Sequence, residues 1–288
     1  MPWSVSSMRC LSLRGALLAL ACCATVVHAT PESTREELLK RLQSLWPQLT
    51  PAVLAGGATA FDAELRAEVE AHAAEAKATG TAGKARWERK FKDGRSLASC
   101  FPNGGRRVAA QYPLFDPKLK RVITLETAIN QCLKSHNEAA LDVQEPDMAA
   151  LVAYLRSLAN GQKVAVRMPA AAVDRFEQGR RLYFTRLGQR NFACASCHVQ
   201  SQGKHFGDET LSSAVGAAAH WPVIRGGAPV TLQMRMRECL ELMGAAPFPA
   251  GSDELNHLEY FLTYLANGLP VQANAWRPAP SKARAAGR

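Results

Sequence analysis

Cys194-Ala195-Ser196-Cys197-His198 constrains this chain more than any other stretch, because two thiols three residues apart with a histidine directly after them suit few chemistries. A structural zinc site needs further Cys and His at finger-like spacing, and a thioredoxin-like pair needs a surrounding βαβ pattern. Neither pattern is present. In an exported protein C-x-x-C-H is the attachment site of a c-type haem, whose vinyl groups take the two thiols while the histidine reaches the iron from the proximal side. The chain must therefore fold around one covalently bound haem c, and the open question is what meets the iron's other face.

Export is written at the N-terminus. Arg9 and Arg14 precede the apolar run Gly15 to Val27, and Val27-His28-Ala29 ends in small-residue fashion, which reads as a signal peptide over 1–29. The run is shorter than the roughly 20 apolar residues needed to span a bilayer, and no later segment offers that many, so no membrane span is expected. A lipid anchor at Cys22 or Cys23 is disfavoured by the preceding Ala19-Leu20-Ala21. Cleavage leaves Cys100, Cys132, Cys194, Cys197 and Cys239 of the eight cysteines.

An internal repeat sorts these five. Ile123-Thr124-Leu125 and Cys132-Leu133 lie without a gap on Val230-Thr231-Leu232 and Cys239-Leu240. The register runs on to Leu158-Ala159-Asn160-Gly161 and Leu265-Ala266-Asn267-Gly268, each closing an apolar helical stretch with an Asn-Gly stop. Upstream, Phe91-Lys92-Asp93-Gly94-Arg95 echoes Phe176-Glu177-Gln178-Gly179-Arg180. The period is too long for a solenoid, so the chain reads as two units of cytochrome c size. In the first unit Cys100 is followed by Phe101-Pro102-Asn103-Gly104, where haem attachment would require a second Cys and a His. Cys132 matches Cys239, and a Cys100–Cys132 disulfide closing the empty pocket is expected, with a pair of buried free thiols as the alternative.

Thr231 to Met243 carries no Gly or Pro and reads as a helix. Arg235, Met236, Cys239 and Met243 share one of its faces and Arg237 points elsewhere. Met236, Met243 and Cys239 are all open as distal iron ligands. A methionine would make an ordinary electron carrier, whereas a thiolate would lower the potential and suit a site that reacts at sulfur. An arginine fork suits a sulfonate-like anion, a haem propionate or a neighbouring carboxylate alike.

The terminal C-x-x-C-H, the segment Arg235 to Cys239 and the stretch Ser96 to Gly104 together resemble the SoxA family, the larger subunits of SoxAX cytochromes, over about Trp87 to Gly268. The missing first motif marks the single-haem form. The resemblance implies a periplasmic enzyme, an L-cysteine S-thiosulfotransferase, that joins thiosulfate oxidatively to a cysteine of the carrier SoxY. Its heterodimer partner would be the small cytochrome SoxX. His198 and Cys239 would be the axial ligands, Cys239 also the catalytic residue and commonly a persulfide, and Arg235 the substrate-binding residue. The alternative is a passive periplasmic electron carrier with a methionine-ligated haem; a weaker third reading is a subunit that chiefly docks another cytochrome.

The leader takes two arginines from a balance of +10, so the mature chain keeps +8, which favours anionic substrates and acidic partner surfaces rather than nucleic acid in an exported protein. The expected architecture is mainly α, with two tandem cytochrome c-like domains, the first without haem, and an N-terminal helical extension. The extension covers 30–85, the haem-free domain 86–162 and the haem domain 170–269, with 162–169 as linker and 270–288 as a disordered tail. Within the extension, Ser33 to Glu36 resembles a capping box and Ala60 to Ala78 a second helix, both packing on the first unit. Trp221-Pro222 parallels Tyr112-Pro113 as a packing feature, His205 and His220 fall where they could line the pocket, and His72, His136 and His257 are given no role.

Overall fold

The computed structural model describes residues 30–279; the leader, with its cleavage and lipidation readings, and residues 280–288 lie outside the described residues. Thr30 opens α1 (Pro31–Leu45) with a reciprocal cap, its hydroxyl accepting from Ser33 N at 3.1 Å while Ser33 Oγ accepts from Thr30 N at 2.7 Å. The cap therefore sits three residues before the expected Ser33–Glu36 box. After α2 (Pro51–Leu54), the expected helix over 60–78 is divided into α3 (Ala63–Ala71) and α4 (Ala73–Thr81). His72 breaks it: its ring meets Glu68 O at 2.8 Å and stacks on Trp276 at 4.2 Å, which holds the residue out of helical geometry.

The first unit runs from α5 (Lys84–Glu88), which crosses the expected boundary at 85/86, through a 3₁₀ turn at Leu97–Cys100 and the hairpin β1 (Leu114–Asp116) and β2 (Arg121–Ile123). It ends in α6 (Leu125–Ser135) and α7 (Pro146–Ser157). The second unit repeats the plan with α8 (Val173–Phe184), α9 (Cys194–His198), the short hairpin β3 (His205–Phe206) and β4 (Glu209–Thr210), and a second hairpin, β5 (Val223–Arg225) and β6 (Ala228–Val230). Then come α10 (Leu232–Leu242) and α11 (Asp253–Leu265). Thr124 and Thr231 cap α6 and α10 alike, each hydroxyl accepting the amide three residues on. Tyr112-Pro113 and Trp221-Pro222, matched in the sequence, are both cis. The chain is thus mainly helical, with the cytochrome c-like domain present twice.

One echo in the sequence does not carry into space. Phe176 to Arg180 lies in α8, whereas Phe91 to Arg95 is a turn closed by Phe91 N donating to Arg95 O at 2.7 Å, with Gly94 at φ +79°. The residue equivalent to Gly179 is Gly83. A Cβ on Gly179 would lie 2.1 Å from His257 O, and one on Gly83 would lie 2.2 Å from Ala150 O, so each glycine lets a first helix touch the last helix of its unit. Four residues on, Tyr183 and Trp87 fill the two cores.

The extension does not pack on the first unit alone. Arg35 Nη2 donates to Asn267 O at 2.6 Å and Tyr264 Oη to Glu32 at 3.0 Å, while Asp62 Oδ2 accepts from Thr210 Oγ1 at 2.5 Å, all in the second unit. On the first unit, α4 packs against α7. These partners lie far along the chain, which local pattern could not show. The expected linker is likewise packed: Val164 N donates to Leu269 O at 2.9 Å and Val271 N to Gln162 O at 2.8 Å.

Residues 270–279, expected as part of a disordered tail, are ordered. Val271 and Ala273 are buried, Asn274 Nδ2 donates to Ala153 O at 2.9 Å, and β7 (Trp276–Arg277) adds in parallel to β5. The seam between the units holds Arg156, wholly buried, which donates from Nε to Trp221 O, Nη1 to Ala109 O and Nη2 to Ala218 O, each at 3.0 Å. Glu126 of the first unit and Glu259 of the second flank it, and burial raises both carboxyls, Glu259 to about 8.

Candidate functional site

A cavity of about 390 Å³, within the range of small-molecule sites, lies in the second unit and is walled in part by Asp62 and Leu65 of the extension and by Arg277. α9 presents Cys194, Cys197 and His198 to it, and α10 presents Arg235, Met236, Cys239 and, at its C-cap, Met243. Those seven residues were singled out from spacing, and one wall or another of the same cavity holds each of them. Arg237 leaves the face and donates to Phe248 O. His205 and His220 also line the cavity, while His136 pairs with Asp93 at 2.6 Å in the first unit.

The ligand donors are oriented rather than merely near. His198 Nδ1 meets the Ser212 carbonyl at 2.9 Å, which assigns the proton to Nδ1 and leaves Nε2 with its lone pair for a metal. Burial lowers the pKa of this ring, keeping it neutral as a ligand must be. Burial pushes the Cys194 thiol up to about 12 and raises those of Cys197 and Cys239, with Arg235 pulling the last two down. Tyr183 Oη, on the same wall, is buried with no hydrogen-bond partner in the protein. Apolar walls, two thiols and a histidine on one short helix, and an orphaned hydroxyl fit a covalently held haem.

Charge is concentrated beside Cys239. Arg235 bridges Glu209 at 2.5 Å and Glu238 at 3.1 Å, and Glu238 also holds Arg225. Burial opposes the charge on Arg235, but Cys239, Glu209 and Glu238 outweigh it and raise its pKa. Neighbouring carboxylates, one of the three kinds of partner its sequence allows, hold its guanidinium.

The haem-free unit shows what the motif's loss entails. Ala98-Ser99-Cys100-Phe101 lies on the turn equivalent to Ala195-Ser196-Cys197-His198, so Leu97 stands for the first cysteine, Cys100 for the second and Phe101 for the histidine. The repeated Ala-Ser-Cys was the signal for this register, and reading Cys100 as the first cysteine missed it. Phe101 packs on Trp87 at 5.1 Å between ring centres, and Cys100 is bonded to Cys132, with Cα atoms 5.9 Å apart. Spacing also missed Ser212, Tyr183, Asp62 and Arg277, all of which line the cavity from distant segments.

Comparison with known proteins agrees with this geometry. The family model described as SoxA/TsdA, cytochrome c domain, matches residues 82–164 and 178–271. The L-cysteine S-thiosulfotransferase subunit SoxA of Chlorobaculum thiosulfatiphilum is 42% identical over 199 residues, covering 68% of this chain and 69% of that protein. The subunit of the same name from Allochromatium vinosum is 36% identical over 268 residues, covering 91% and 94%. Among solved structures, SoxXA from P. pantotrophus superposes with a TM-score of 0.65 at 27% identity, covering 70% of this chain and 78% of that one.

Proposed function

The chain belongs to the SoxA/TsdA cytochrome c family, and on that premise we propose that it acts as the haem-bearing subunit of an L-cysteine S-thiosulfotransferase. The observation that carries the reading is the place of Cys239, whose α10 sets its thiol in one cavity with Cys194, Cys197 and His198, one turn beyond Arg235. Cys194 and Cys197 are the covalent anchors of a single haem c, and His198 and Cys239 its ligands. When bound, that group supplies an acceptor of single electrons.

The overall conversion joins the outer sulfur of thiosulfate to the thiol sulfur of a carrier cysteine. One S–S bond forms, the S–H bond breaks, one proton leaves and two electrons are released, for which a haem held by Cys194, Cys197 and His198 would be an acceptor. Arg235 offers a fixed charge to the sulfonate end and favours thiolate over thiol at Cys239. Glu209 and Glu238 hold its guanidinium in place, so its fork is pre-oriented. Ser212 keeps His198 in the ligating tautomer. The partner is a small cytochrome of the SoxX kind, the acceptor protein is of the SoxY kind, and the N-terminal leader delivers the chain to the periplasm. The passive-carrier reading is not favoured, since the relatives are named as transferases.

Low-temperature EPR of the oxidised, haem-loaded protein beside Cys239→Ser tests this. A narrow-spread low-spin signal of thiolate ligation, lost in the variant together with thiosulfate conjugation, is expected. A His/Met-type signal indifferent to the substitution would return the protein to an electron carrier using Met236 or Met243.

A further inference from the structure

Among the described residues three arginines line the cavity, and their charges are met differently. Arg225 and Arg235 both end on carboxylates. Arg277 does not: its Nη2 donates to Gly56 O at 2.9 Å and its Nη1 to its own Trp276 O at 2.7 Å. Among the described residues it forms no ion pair. Burial drives its pKa down to about 10, against which Glu209 acts from a distance. The strand register makes the imbalance sharper, since Arg277 lies directly opposite Arg225 on the parallel pair β5 and β7, cation beside cation.

A cation drawn partly out of water is costly without a counter-charge, and the protein leaves this half-buried one facing the cavity. Nearby His220 adds no competing charge, because burial takes its pKa down to about 3 and keeps the ring neutral. The missing partner is therefore an anion within the cavity. A haem is an apolar ring whose only anions are its two propionates. We propose that Arg277 pairs with a propionate of the haem anchored at Cys194 and Cys197, so that the C-terminal strand positions the cofactor. The proposal rests on the haem reading of the cavity. It makes Arg277 a cofactor-binding residue that nothing in the attachment motif announces.

The test uses the haem-loaded protein and its Arg277→Gln and Arg277→Lys variants, reading the midpoint potential and the propionate-bending bands of the resonance Raman spectrum. Removing a positive charge beside the haem favours the ferric state. Gln should therefore lower the potential and move a propionate band, Lys should restore most of both, and covalent haem content should stay unchanged. Unmoved band and potential in a folded Gln variant would overturn the assignment. So would an unmoved band with a raised KM for thiosulfate, which would give the arginine to the substrate anion instead. If Gln does not fold, the wild type decides: an Arg-paired propionate stays ionised well below the roughly pH 4–5 of an ordinary carboxyl, and one titrating at the ordinary value would sink the proposal. Absence of covalent haem from the wild type would remove the haem reading itself, a different failure.

Discussion

At the scale of single residues, the site separates anchoring from reactivity. Cys194 and Cys197 stand on the same turn as His198, and thioether formation needs only those two. Cys194→Ala or Cys197→Ala should weaken or abolish covalent haem, read as loss of haem stain on a denaturing gel, whereas Cys239→Ala should keep the stain. Equal staining of all three would show that the haem is attached elsewhere. Glu259 acts on stability. Burial raises its folded pKa to about 8 from 4.5, so the folded protein holds a proton that the unfolded chain releases. The sign follows: between those values stability falls as pH rises. The thermal midpoint should drop across that window, and Glu259→Gln should flatten the drop. An equal slope in the variant would place the proton on another group, with Glu126 the first to try.

Among elements, the crossing of α8 and α11 is closely constrained. Replacing a helical glycine by alanine ordinarily stabilises by about 0.5–1 kcal/mol. At Gly179 a methyl would meet His257 O at 2.1 Å, so the helices must part and the sign reverses. Gly179→Ala should destabilise by about 1–3 kcal/mol in denaturant unfolding; a neutral or stabilising result would show that α8 can slide. Helix α10 owed little to its neighbours for its limits, since Thr231, the unbroken run and Gly244 were all in the sequence. The break at His72 was illegible because its cause, a stack on Trp276, lies far along the chain.

For the whole molecule, the haem-free unit is held by bonds where its twin holds a cofactor. Cys100 and Cys132 close a loop with a sequence separation of 32, worth roughly 3–4 kcal/mol on the loop-entropy account. The double variant Cys100→Ser/Cys132→Ser should unfold at correspondingly lower denaturant while the haem unit keeps its spectrum, and an unchanged midpoint would mean the seam at Arg156 carries that unit. The internal repeat, the haem motif, the face shared by Arg235, Met236, Cys239 and Met243, and the missing motif in the first unit were determined by sequence alone. Each depends on spacing along one helix or on covalent chemistry, which are local. Only the tertiary structure decided that Arg235 is held by Glu209 and Glu238 and that the extension reaches the second unit. It alone showed that Arg156 donates to carbonyls of both units between Glu126 and Glu259, and that Arg277 returns to the cavity from a segment whose composition reads as tail. Those are meetings of residues distant in sequence, set by the burial of apolar surface and the pairing of charge rather than by any local period.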